Sequence, residues 1–233
     1  MKRFRFLYKE TITTILAENE DYYEVAVKAI LEARSEIEKY AILNPYFLIS
    51  YEPIECNAEG IVKKMCDSAK IAGVGPMASV AGAIAQFAVD KMIEAGAKIA
   101  VVDNGGDIAI FTDRELKVGI FPTNIALLIP PGEKIAVCTS SGKIGPSVSF
   151  GYADAATVIA DDACLADALA TALGNNVGDF KKEELEKVVS GFYSKYKSFL
   201  RGIIVVKDDL VVFAGNIPEL VTARIDENLI TKA

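Results

Sequence analysis

The sequence contains no histidine. That absence excludes Ser-His-Asp and Cys-His catalysis, histidine-ligated zinc or iron, and imidazole as a general base. Carboxylates, lysines, thiols, hydroxyls and an added metal remain for any chemistry. A basic stripe is also missing. The net charge is −7, and the pairs Lys63-Lys64 and Lys181-Lys182 stand isolated among many carboxylates. Such a chain is not expected to take nucleic acid or an anionic membrane as its main partner. An anionic small molecule stays open, because backbone N–H groups or a metal can carry it. No uninterrupted apolar run has the ~20 residues of a spanning helix; residues 74–92 come nearest but contain Gly75, Pro76, Ser79, Gln86 and Asp90. The first residues lack an apolar signal-peptide core, since Lys9 and Glu10 follow Met1-Lys2-Arg3-Phe4-Arg5. The four cysteines, Cys56, Cys66, Cys138 and Cys164, show no Cys-x-x-Cys or zinc-like spacing. Free thiols in a reducing compartment, hence a cytoplasmic location, are the expectation.

Hydrophobic residues make up 52% of the 233 but aromatics only 9%, so Ala, Ile and Val do most of the packing. The length allows a sizeable core, and no Pro/Gly/Ser-rich linker divides it, so a single domain over 1–233 is expected. Residues 3–17 alternate as one or two strands. Residues 21–43 predict an amphipathic helix with Tyr22, Val25, Ala26, Ala29, Ile30, Ala33, Ile37 and Ile42 inward. Residues 46–54 read as a strand and 58–71 as a helix. Pro76 opens a further helix, to about residue 95, apolar almost all round and therefore buried. Strands are predicted at 99–102, 108–111, 116–121, 125–129, 135–140 and 155–160. A helix capped by Asp161 or Asp162 follows to near Gly174, then an exposed helix over 181–200 and a hairpin of 203–206 with 210–213. The class is α+β, mainly antiparallel sheet with packed helices.

Four constellations can carry chemistry. In Asp103-Asn104-Gly105-Gly106-Asp107, two glycines between strands let a ligand approach the backbone, although Asn-Gly is equally a hairpin signal. Gly75-Pro76 places free N–H groups at the start of the buried helix, a geometry that favours anions; a tight loop joining two packed helices fits the same residues. Asp167 and Thr171, four apart on an alanine-rich helix, share a face and suit a hard cation; a dipole-favoured aspartate and a back-bonded threonine fit the same pattern. Thr139-Ser140-Ser141-Gly142 ends a strand in three hydroxyls, leading to a stretch 145–152, and Cys138 before it is a candidate nucleophile or an inert core thiol.

In this order the pieces resemble the ApbE family of FAD:protein FMN transferases over roughly residues 78–175. Phe87-Ala88-Val89-Asp90 looks like the end of that family's AKGYAVD segment, and Asn104-Gly105-Gly106-Asp107-Ile108 like its NxGGDI. Thr139-Ser140-Ser141-Gly142 is similar to its TSG. Gly151-Tyr152 with Thr157-Val158-Ile159-Ala160 resembles TGYP…TVIA, and residues 166–173 resemble the ADALSTAL helix. With residues 74–78 and 147–151 added, the whole chain looks like a compact ApbE-like group without a lipoprotein signal. The resemblance implies an ApbE-like fold with its site at the sheet–helix junction. It also implies a flavin-dinucleotide or other nucleotide-phosphate site at Gly75, Asn104–Asp107 and Thr139–Gly142. Mg²⁺ would be held by Asp167, Thr171 and a carbonyl near Ile84. FMN transfer to a protein acceptor or FAD pyrophosphate cleavage would follow. Two departures stand out: Gln86 occupies the place of the family's lysine, and the histidine after TSG is absent. A non-catalytic or sulfur-handling accessory protein is the second implied reading, since the resembled group has been connected with sulfide assimilation and homocysteine formation. Its partners would lie in a sulfur pathway. A homodimer is also expected.

Overall fold

The computed structural model describes residues 1–142, 151–223 and 231. The chain opens with a hairpin, β1 (Lys2–Tyr8) and β2 (Thr11–Ala17), then α1 (Glu20–Leu43), whose first turn is capped by the Asn19 side chain accepting from the Tyr22 N–H at 3.2 Å. After α2 (Tyr46–Ile49) and α3 (Gly60–Ala72), a 3₁₀ turn at Pro76–Ser79 leads into α4 (Val80–Glu94). Five strands follow: β3 (Ile99–Asn104), β4 (Asp107–Thr112), β5 (Leu116–Ile120), β6 (Ile125–Ile129) and β7 (Lys134–Ser140). Then come β8 (Ala155–Ala160), α5 (Ala163–Asn176), α6 (Lys182–Tyr196), β9 (Gly202–Lys207), β10 (Leu210–Gly215) and β11 (Glu219–Thr222).

Eight strands form one sheet in the order β1-β2-β3-β4-β7-β8-β9-β10, and β11-β6-β5 form a second. Each strand pair is antiparallel. The two faces of the large sheet differ in side-chain size. Its helix face carries Ala100, Ala109, Ala136 and Ala156, and these small residues let α4 and α5 lie close. The opposite face carries Ile99, Val101, Ile110, Ile135 and Val137, which pack on Val118, Ile120, Leu127 and Ile129 of the small sheet. Helices, large sheet and small sheet thus form three layers, with a core on each side of the middle one. The antiparallel α+β expectation is met. Among the described residues, no single helix is long and apolar enough to cross a membrane.

Three local expectations are corrected. Residues 46–54 are not a strand. Pro45, with φ −59°, starts the helical turn α2, and Pro53 offers no N–H for a ladder. Ile42 does not face inward but is 77% exposed. The inner stripe of α1 runs Ala26, Ala29, Ile30, Ala33, Ile37, Ala41, so Ala41 takes the last core position. Not all cysteines are free: Cys56 and Cys66 form a disulfide, their Cα atoms 6.2 Å apart, because the extended segment before α3 folds back along that helix. Cys138 and Cys164 are free and buried. Strand β11 was not anticipated. Residues 145–150 of the glycine–serine stretch lie outside the described residues.

Candidate functional site

Strand register sets up a polar row on the helix face of the large sheet. Thr13 pairs with Asn104, Asn104 with Asp107, and Asp107 with Cys138, across β2, β3, β4 and β7. Antiparallel alternation sends all four side chains to the side where α4 and α5 lie. The β3–β4 connection is Gly105-Gly106, with φ of 71° and 102°, a tight turn that only glycine makes without strain.

Above the row, the start of α4 meets α5. The Asn104 side-chain amide donates to the Ala81 carbonyl at 3.1 Å, tying the hairpin to the first turn of α4. The Gly82 N–H donates to Asp167 Oδ2 at 2.8 Å. Asp167 is 8% exposed. Burial raises its carboxyl to about 7, against the pull of the Gly82 and Ala81 N–H groups, which favour the anion. Asp107 is raised well above the usual carboxylate range, first by burial and then by the charges of Asp167 and Asp103. Its Oδ1 is buried and has no hydrogen-bond partner among the described residues. Two acidic groups therefore lie near each other in a buried recess at the start of α4, and among the described residues the interactions acting on them include no cationic side chain.

Thr171 is half-buried one turn beyond Asp167, and Ile84 lies inside α4, where its carbonyl belongs to the helix ladder. The Thr139 N–H supports the Asp107 carboxylate, but its hydroxyl pairs with that of Thr157 at 2.9 Å, the two being direct β7–β8 partners. Ser140 is buried. Gly142 donates its N–H to the Ala153 carbonyl at 3.0 Å, and a Cβ there would lie 2.1 Å from the Gly151 oxygen, so it closes a backbone crossing. Gly75 packs on the Ser50–Tyr51 backbone, where a Cβ would lie 1.8 Å from the Ser50 oxygen. The structure thus brings together Asn104, Asp107 and Asp167. It sets Gly75 and Gly142 in packing roles.

Cys138 is a poor nucleophile. Its thiol donates to the Ala163 carbonyl at 3.5 Å, and burial, then the Asp107 and Asp167 charges, push it well above the usual thiol range. Sequence reasoning missed Thr13, which is fully buried and whose hydroxyl oxygen has no hydrogen-bond partner among the described residues. Strand alternation alone could not find it, since its place in the row comes from the β2–β3 register. Asp103 points to the other face, accepting from Gly106 N–H at 2.9 Å and from the Thr231 hydroxyl at 2.6 Å.

Gln86 has a positioning role. Its Oε1 accepts from the Ala163 N–H at 2.9 Å at the start of α5, and its Nε2 donates to Asp90 Oδ1 at 3.1 Å. A Gln86→Leu variant leaves that buried N–H without a partner. It is expected to lose about 1–3 kcal/mol in urea unfolding.

The acidic recess also fixes a pH response. Asp167 binds its proton more tightly folded (about 7) than unfolded (near 3.8). Its contribution to stability is therefore greatest below about 3.8 and is lost as pH rises through about 7. Between pH 5 and 8 the metal-free protein is expected to lose more melting temperature than an Asp167→Asn variant does. Equal losses would contradict the assignment.

Among the described residues no cluster of three or more His, Cys, Asp or Glu suited to a metal is present, so a cation here would rely on the two aspartates, hydroxyls, carbonyls and the ligand. The unpartnered Oδ1 of Asp107 and the hard oxygen donors suit a divalent ion.

A family model described as AbpE bacteria matches residues 1–190. The chain is 67% identical over 232 residues to the UPF0280 protein of Archaeoglobus fulgidus, with 100% of each covered. It is 45% identical over 242 residues to the UPF0280 protein of Methanothrix thermoacetophila, again with 100% of each covered. Its fold is similar to the apo flavinyl transferase ApbE of Pseudomonas stutzeri, with TM-score 0.60, 10% identity, and 92% and 94% of the two chains covered. It is also similar to the flavin transferase ApbE of Vibrio cholerae, with TM-score 0.54, 11% identity, and 92% and 96% covered. At such identities the likeness is one of fold.

Proposed function

The chain belongs to the family described as AbpE bacteria, and from that premise we propose that it is a Mg²⁺-dependent flavin-dinucleotide protein that transfers FMN to a protein hydroxyl or cleaves the FAD pyrophosphate. One observation carries this reading: Asp107 and Asp167 share a buried recess at the start of α4, and Asp107 Oδ1 has no hydrogen-bond partner among the described residues. The names of its structural relatives, flavinyl and flavin transferase, supply the ligand class.

Asp167 and Thr171 would hold the cation, with Asp107 beside them and the Ile84 carbonyl sharing its helix bond. A divalent ion bound there supplies charge neutralisation at the pyrophosphate and polarises the transferred phosphoryl group. The chain's own groups set the stage for it. The Gly105-Gly106 turn offers backbone without side chains for a phosphate to approach. Asn104 fixes that turn against α4, and the Gly82 and Ala81 N–H groups hold the Asp167 carboxylate in one orientation. Burial raises both carboxyls of the acid pair, so a bound cation would be favoured there as a partner for their negative charge.

Cys138 gives no support to a sulfur-handling role, because burial and two neighbouring carboxylates keep its thiol protonated. The test is chromatographic. Protein, FAD and Mg²⁺ together should release AMP, and omission of Mg²⁺ should stop it. Absence of both AMP release and Mg²⁺-dependent FAD binding would overturn the proposal.

A further inference from the structure

Six large apolar side chains stand exposed within ten residues at the end of α1 and along α2: Ile42, Leu43, Tyr46, Leu48, Ile49 and Tyr51, from 50% exposure at Leu48 to 81% at Leu43. Phe47 alone of α2 turns inward, fully buried and edge-on to Tyr40 with ring centroids 5.2 Å apart, and so anchors the segment that carries the others. At ~150–250 Å² for a large side chain, the exposed part of these six is on the order of 700 Å². That exceeds the ~300–600 Å² of the largest patch on an ordinary monomer. It approaches the ~800 Å² that each partner contributes to a stable protein–protein interface.

We propose that this surface is the interface of a homodimer, a second copy of the chain presenting the same patch across a two-fold axis.

Charge favours a second copy over other occupants. The whole chain carries −7, yet residues 39–70 are neutral, with Lys39, Lys63, Lys64 and Lys70 balanced by Glu52, Glu55, Glu59 and Asp67. Several of these already pair within the chain, Lys70 with Glu55 at 2.6 Å and Lys63 with Asp67 at 2.9 Å. Two acidic molecules can therefore meet here without like charges facing each other. The same neutrality offers nothing to an anionic membrane, which needs a cluster of Lys or Arg. The patch is also held in place before contact. Behind α2 the chain is tied to α3 by the Cys56–Cys66 disulfide, and the Ser50 carbonyl packs against Gly75 so tightly that a Cβ there would lie 1.8 Å away. A surface already ordered loses little freedom on association. An isologous interface needs one patch that complements itself, and a neutral apolar surface with aromatic and aliphatic members meets that requirement. None of this depends on the flavin reading, because the patch shares no residue with the acidic recess.

The test is mass in solution by light scattering and sedimentation on the full chain. The wild type is expected at twice the chain mass at about 100 µM, above the micromolar dissociation of a weak interface of this size. The double variant Ile42→Glu, Ile49→Glu is expected at the chain mass with unchanged circular dichroism, since both side chains lie outside the core of the single chain, and with a melting temperature lowered only by the loss of association. A control variant, Phe213→Glu on the outer strand β10, should remain dimeric. A monomeric wild type, or a double variant that stays dimeric, overturns the proposal. So does co-flotation of a monomeric wild type with neutral phosphatidylcholine vesicles, which would assign the patch to a lipid surface.

Discussion

A Gly82→Ala variant is expected to melt several degrees below the wild type and to lose Mg²⁺-dependent flavin binding. Helix propensity alone gives the opposite sign, because alanine in a helix interior is favoured over glycine by about 1 kcal/mol. The crossing of α4 and α5 reverses it. A Cβ on residue 82 would lie 2.1 Å from the Ala163 carbonyl oxygen and 2.7 Å from the Asp167 Cβ. The nearer obstacle is backbone, so no rotamer change relieves the clash, and the two helices must separate. Overpacking of this kind costs about 1–3 kcal/mol, and separation also weakens the 2.8 Å bond from Gly82 N–H to Asp167. Set against the propensity gain and with the weakened bond included, the net loss is about 1–2 kcal/mol, a shift of roughly 2–8 °C at ~2–4 °C per kcal/mol for a chain of this size. Calorimetry reads the shift. An unchanged or raised melting temperature would mean that α4 and α5 do not meet as described.

Asp167→Asn separates function from stability in the opposite direction. Asparagine keeps the shape, and its carbonyl oxygen can still accept from Gly82 N–H. It removes the negative charge that confronts Asp107. Without metal at pH 8, the variant is therefore expected to be at least as stable as the wild type. With Mg²⁺ and FAD, it is expected to lose AMP release by ~100-fold or more, since a neutral amide is a far weaker ligand for a hard cation than a carboxylate. A purely structural Asp167 would show the reverse, a less stable protein with activity little changed.

The site was legible where its signal is local. Asn104-Gly105-Gly106-Asp107 reads as a glycine turn between strands, and the structure builds a turn with positive φ at both glycines. The spacing of Asp167 and Thr171 follows from helical periodicity, whereas the close approach of α5 to Gly82 emerges only from the packing of the two helices. What stayed hidden depends on pairing between distant segments. Thr13 joins the polar row only through the β2–β3 register, which sequence patterns do not specify. Gln86 looked like a lost lysine, but its work as a bridge to α5 depends on a helix 77 residues further on. The Cys56–Cys66 bond has no spacing signature, because a backbone reversal before α3 makes it. Residues 46–54 carry strand-like apolar residues, yet Pro45 and Pro53 at their ends settle the outcome. The exposure of Tyr46, Leu48 and Ile49 then follows from there being no strand partner to cover them.

The most direct measurement is a flavin-fluorescence titration of FAD into the protein, with and without Mg²⁺, repeated on Asp167→Asn. The expected result is saturable binding that requires Mg²⁺ in the wild type and is lost in the variant. Binding that ignores both Mg²⁺ and the substitution, or no binding under any of these conditions, would contradict a cation-and-pyrophosphate site between the acidic pair and the start of α4.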